Sequence, residues 1–113
     1  DCLQMNHEIK TLGIIGAGQM GVGIAQVIGM SGLSVLLHDN NVNTLSSASK
    51  TMLRGLNHAV KKGKLKQENV TDVLKQVRYE SRISELGQCD LIIEAATEDE
   101  KMIIPLPKPK MGV

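Results

Sequence analysis

Two apolar patterns alternate along this chain. Short unbroken aliphatic runs at Thr11–Ile15 (TLGII), Ser34–His38 (SVLLH) and Asp90–Ala95 (DLIIEA) read as strands buried on both faces. Between them, apolar positions recur at helical spacing. Met20, Ile24, Val27 and Ile28 define a helix from Gln19 that Gly32 can stop. Leu45, Ala48, Met52, Leu56, Ala59 and Val60 define a longer helix, capped by Asn41 or Asn43 and closed by Lys61, Lys62 and Gly63. Val70, Val73, Leu74 and Val77 give a third stripe, and a short strand around Val77–Glu80 overlaps its end. Aliphatic strands separated by helices predict an α/β fold with a parallel sheet covered on both faces.

Composition supports a globular chain of one domain. Leu, Ile and Val supply 32 of 113 residues, above the level at which disorder is expected. Tyr79 is the one aromatic residue, which argues against nucleic-acid modules built on stacking platforms. The net charge of +1 implies no phosphate-backbone partner, although residues 61–78 carry +4 and residues 79–101 carry −5. Cys2 and Cys89 are too few for a disulfide framework or a metal site, which fits a reducing cytoplasm or organelle matrix. No apolar run reaches the roughly 18 residues of a membrane span, and the first ten residues do not resemble a signal peptide. The start at Asp1 reads as a processed terminus or a fragment edge. The segment Ile104–Val113 holds all three prolines and suits neither a helix nor a central strand.

Gly16-Ala17-Gly18-Gln19-Met20-Gly21 matches G-x-G-x-x-G in the context that gives the motif meaning, with a buried strand before it, a helix after it and an acid beyond the second strand. Gly16 permits the tight turn, Gly18 lets the backbone approach a pyrophosphate, and Gly21 allows close packing of helix on strand. The helix N-terminus offers N–H groups and partial positive charge to phosphates. Asp39, 18 residues past Gly21, is placed to accept bonds from an adenosine ribose and to repel a 2′-phosphate, favouring NAD over NADP. The plainer readings are a βα corner packed by glycines and an N-cap for the next helix. The pattern therefore predicts a Rossmann-type sheet of about four strands in order 3-2-1-4 with flanking helices, over residues 8–103. His38 reads as a strand-end residue.

Gly16–Gln26 (GAGQMGVGIAQ), Asp39, the long helix ending in Lys61-Lys62-Gly63-Lys64-Leu65, and Ile93–Glu98 (IEAATE) together resemble the NAD-binding domain of the 3-hydroxyacyl-CoA dehydrogenases. The resemblance lies closest to the single-function 3-hydroxybutyryl-CoA members. It implies that Gly16–Gly21 and Asp39 hold NAD, that Ala95, Ala96 and Glu98 line its nicotinamide half, and that Lys62, with Lys61 beside it, contacts coenzyme A. On the residues alone, Glu98 could be a first-turn helix acid, and the lysines could simply match a helix dipole. Gly55 stands where some members carry a CoA-contacting serine, and Lys101 lies two residues ahead of a family lysine. The family oxidises 3-hydroxyacyl-CoA to 3-ketoacyl-CoA with NAD, through a histidine base oriented by a glutamate. Those residues and the helical substrate domain fall beyond this sequence, so the chain alone is expected to be an inactive, truncated piece with an open sheet edge prone to self-association. The competing functions are a non-catalytic NAD-binding module and a fragment of a related β-hydroxyacid dehydrogenase.

Overall fold

The computed structural model describes residues 8–96. Strands β1 (Thr11–Ile15), β2 (Ser34–His38), β3 (Val77–Glu80) and β4 (Leu91–Glu94) form one parallel sheet in the order β3-β2-β1-β4. This is the predicted Rossmann arrangement. Register places Ile93, Ile14, Leu37 and Tyr79 in one row across the sheet, and Glu94, Ile15, His38 and Glu80 in the next. Strand alternation turns these two rows to opposite faces.

Helices α1 (Gln19–Met30), α2 (Val42–Lys61) and α3 (Val70–Gln76) cover the first of those faces. Ile14, Val35, Leu37 and Val77 from the strands share one core with Val22 and Ala25 of α1, Leu45, Met52 and Leu56 of α2, and Val73 of α3. Ile14, Leu37, Met52 and Leu56 are fully buried there, each stabilising the fold by about 1.5–3 kcal/mol relative to exposure. Asn41 caps α2, its Oδ1 accepting from the backbone N–H of Asn43 at 2.8 Å and of Thr44 at 3.3 Å. Gly32 and Gly63 follow α1 and α2 with φ of +95° and +77°, a left-handed backbone that glycine adopts without strain.

The second face has a thinner cover. Among the described residues it carries no α-helix. A 3-10 segment, Ile83–Gln88, leads from β3 across to β4, and Leu86 and Cys89 press on the sheet at Gly13. A Cβ at Gly13 would stand 2.7 Å from Leu86 Cδ2 and 2.8 Å from Cys89 Sγ, so the absent side chain is what lets this thin layer lie flat.

The strand expected at Val77–Glu80 is β3, which resolves its overlap with the helix stripe, and the bounds of β4 move. Val77, which continues the apolar stripe of α3, is the first residue of β3, because its buried side chain serves the same core from either element. Asp90 and Ala95 flank β4 rather than belonging to it. The Asp90 carboxylate instead accepts from the backbone N–H of Lys10 at 2.9 Å and of Thr11 at 3.0 Å, tying the start of β1 to the start of β4. The segment 104–113 lies outside the described residues.

Candidate functional site

The carboxyl ends of β1, β2 and β4 meet at Gly16. Its N–H donates to the His38 carbonyl at 2.8 Å, carrying the β1–β2 pairing one residue past the strand. Its φ of +107° turns the chain sharply toward α1. On its other side the backbone leaving β4 passes so close that a Cβ would strike Ala96 Cα and stand 2.7 Å from the Ala95 carbonyl carbon. Ala95 is held there by its N–H donating to Ile15 O at 2.7 Å, and Ala96 by its N–H donating to Glu94 Oε1 at 2.8 Å. Gly21 is required for a related reason: the Gly16 carbonyl oxygen occupies the space a Cβ at 21 would need.

Gly18 is the N-cap of α1, with extended backbone and no side-chain cap. Gly18, Gln19 and Met20 are exposed, while Ala17 is buried. No acid lies in the first turn of α1, so its free N–H groups and the positive end of its dipole face outward. Asp39, at the exit of β2, closes the turn from the side. Its Oδ2 accepts from Ala17 N at 3.0 Å and its Oδ1 from Asn41 N at 3.0 Å. Each carboxylate oxygen keeps a further acceptor position. A cleft of about 120 Å³ opens between these parts, lined by Ile15, Gly16, His38, Asp39, Asn40 and Ala96.

Gly16, Ala17, Gly18, Gln19, Met20, Gly21, Asp39, Ala95 and Ala96 are thus brought together at one end of the sheet. Glu98 lies outside the described residues. Lys61 and Lys62 stand elsewhere: they are exposed at the far end of α2, and 20 helical residues carry the chain about 30 Å from the Asp39 end. Gly55 packs against Gln26 of α1, whose Nε2 donates to Gly55 O at 3.2 Å. A Cβ at 55 would collide with the Gln26 amide, so this position serves the contact between α1 and α2. Reading the sequence missed His38 and Asn40 as walls of the cleft and Glu94 as the clamp on Ala96. Strand alternation offered a signal for His38, since a residue next to buried Leu37 must point to the other face.

A glycine turn between a buried strand and an uncapped helix, with a carboxylate closing it from the neighbouring strand, defines a dinucleotide-binding domain. The exposed amides suit a pyrophosphate and the spare acceptor positions of Asp39 suit a ribose diol, so the residues present fit such a cofactor.

Comparison with known proteins narrows that class. The family model for the 3-hydroxyacyl-CoA dehydrogenase NAD binding domain matches residues 11–103. A 3-hydroxybutyryl-CoA dehydrogenase of Bradyrhizobium diazoefficiens is 38% identical over 98 residues, which are 87% of this chain and 33% of that protein. A 3-hydroxyadipyl-CoA dehydrogenase of Escherichia coli is 39% identical over 83% of this chain and 20% of its own length. The crystal structure of (S)-3-hydroxybutyryl-CoA dehydrogenase from Ralstonia eutropha superposes with a TM-score of 0.76 at 35% identity, covering 81% of this chain and 32% of that one. The chain belongs to the 3-hydroxyacyl-CoA dehydrogenase family, carries its NAD-binding domain, and takes NAD as cofactor. It spans a third or less of the length of these relatives.

Proposed function

We propose that this chain is the cofactor-binding part of an enzyme that oxidises 3-hydroxyacyl-CoA to 3-ketoacyl-CoA in fatty-acid metabolism. The observation that carries this reading is the Asp39 carboxylate, fixed between Ala17 N and Asn41 N with acceptor capacity to spare, beside an uncapped helix start. The N–H groups from Gly18 to Met20 take the pyrophosphate, and Asp39 takes the adenosine ribose. Ala95 and Ala96, with Glu98 after them, guide the nicotinamide half past the end of β4. NAD, when bound, supplies the hydride acceptor, and the chain's own residues orient it.

Lys61 and Lys62 take the phosphates of coenzyme A from the far end of α2. Phosphates attract lysines as point charges, and exposed lysines are screened within about 8 Å at physiological salt, so this contact is weak in the chain alone. A protein made of these 113 residues binds NAD without turning over acetoacetyl-CoA, in line with its spanning only a third or less of its relatives' length.

NADH, excited directly in its own absorption band, reports binding by a rise in its emission over that of the free cofactor. The expected result is saturable enhancement in the wild type that is lost in Gly18→Asp, with no steady NADH consumption when acetoacetyl-CoA is added. Equal enhancement in Gly18→Asp overturns the cofactor site. Sustained turnover by the purified chain overturns the assignment as a binding part alone.

A further inference from the structure

His38 is 5% exposed, the one buried polar or charged residue among those described, and it forms part of the cleft wall beside Asp39 and Asn40. Its Nδ1 lies 3.0 Å from the Glu80 carbonyl oxygen. A carbonyl can only accept, so Nδ1 carries the hydrogen, and in the neutral ring Nε2 keeps a lone pair. Nε2 makes no hydrogen bond to another described residue. An imidazole in the wall of the cleft, held through one ring nitrogen and with the other unpaired among the described residues, is placed to meet a donor on a ligand that enters there.

We propose that His38 is a second cofactor-binding residue, its Nε2 accepting a hydrogen bond from a hydroxyl of the adenosine ribose. The inference rests on the cofactor reading given above. Asp39 and His38 Nε2 then present acceptors alone to the sugar. A ribose diol answers with donors. A 2′-phosphate brings only further acceptors and negative charge, so His38 adds to the discrimination against NADP that Asp39 provides.

The choice of variants separates this role from structural support. Asn at 38 can keep the donor to Glu80 O but has no atom at the position of Nε2. Gln can place its amide oxygen near that position. Titrating the full chain by NADH fluorescence should show about fivefold weaker binding in His38→Asn, the size expected for one neutral hydrogen bond, with most of the affinity kept in His38→Gln. One of the 2′-deoxy and 3′-deoxy forms of NAD should compete less well than NAD against the wild type and show no further loss in His38→Asn. Wild-type binding with unchanged affinity in His38→Asn overturns the proposal while leaving the cofactor site standing; absence of wild-type binding overturns the site itself. If the hypoxanthine analogue of NAD, rather than a deoxy form, removes the difference between wild type and His38→Asn, the donor is the adenine amine and the ribose assignment is wrong. A measurement on the wild type needs no variant to fold. The imidazole Nε2 nitrogen resonance should move on saturation with NADH, as an acceptor does when it gains a donor, and an unmoved resonance overturns the proposal.

Discussion

The carboxylate of Asp39 accepts the backbone N–H of Ala17 at 3.0 Å, so the acid that follows β2 also holds in place the glycine turn that follows β1. One side chain therefore links the two halves of the proposed cofactor site across 22 residues of sequence. A charge-assisted hydrogen bond of this kind contributes about 1.5–3 kcal/mol. With Ala17 buried and its amide paired, the turn is set before any ligand arrives, and the ordering is not charged against binding.

The first prediction concerns that bond. In Asp39→Ala the Ala17 amide loses its acceptor and should exchange with solvent faster than in the wild type, while amides inside β1 and β2 keep their protection. Amide exchange read by NMR checks this. Unchanged protection at Ala17 would mean that the turn holds itself.

A second prediction follows from the space at Gly21. A methyl group there meets the Gly16 carbonyl oxygen, which is backbone and cannot swing aside. Gly21→Ala should lower stability by about 1–3 kcal/mol, the usual cost of forcing an extra carbon into a packed site, and should weaken NADH binding because α1 must move off the turn. By contrast, nothing lies within 4 Å of a Cβ built at Gly23, so Gly23→Ala should be tolerated. Urea denaturation of the two variants side by side makes the comparison.

The third prediction is a pH dependence. Backbone N–H groups of Lys10 and Thr11 hold the Asp90 carboxyl below its ordinary value of 3.8. The folded state thus prefers the ionised form. Its contribution is complete above that ordinary value and is lost as the pH falls through the lowered one. Asp90→Asn should be less stable than the wild type at neutral pH, and the two should converge as the solution is taken to about pH 2. Parallel melting curves that keep their separation in acid would contradict the role of the bond.

The fourth concerns β4, which pairs only with β1 among the described residues. Leu91 is 47% exposed on it, and Ile92 and Ile93 are half-buried. An aliphatic strand with an open edge invites pairing with another chain. The isolated chain should therefore self-associate with rising concentration, and Leu91→Lys should reduce this. Sedimentation velocity over a concentration series measures it, and a strictly monomeric wild type would remove the edge as a contact.

Much of this was legible in the amino-acid order, for physical reasons that also show where it stopped. Thr11–Ile15 and Ser34–His38 matched their strands to the residue because continuous aliphatic runs have one comfortable place, the middle of a parallel sheet. The start of α2 was legible as a cap at Asn41 or Asn43, and the folded chain uses the side chain of Asn41, which accepts from the N–H groups of Asn43 and Thr44. Val77 was ambiguous because a single buried valine satisfies the stripe of a helix and the inside of a strand equally well. Asp90 looked like part of a strand, yet its side chain, not its backbone, makes the tie to β1. Ile83–Gln88 has no apolar period, so the thin cover on the second face was invisible. Gly16 was read for its turn, but the close passage of Ala95 and Ala96 beside it joins residues some 80 positions apart and needs the folded sheet to be seen.

The account turns on Asp39 as the residue that both shapes the site and selects the cofactor, and calorimetric titration of NAD and NADP into the wild type and Asp39→Ala tests it most directly. The predicted result is clear preference of the wild type for NAD, with Asp39→Ala losing roughly tenfold or more in NAD affinity, the equivalent of about 1.5–3 kcal/mol, and losing most of the discrimination against NADP. Equal wild-type affinity for the two cofactors, or an Asp39→Ala chain that binds NAD as well as the wild type, would contradict it.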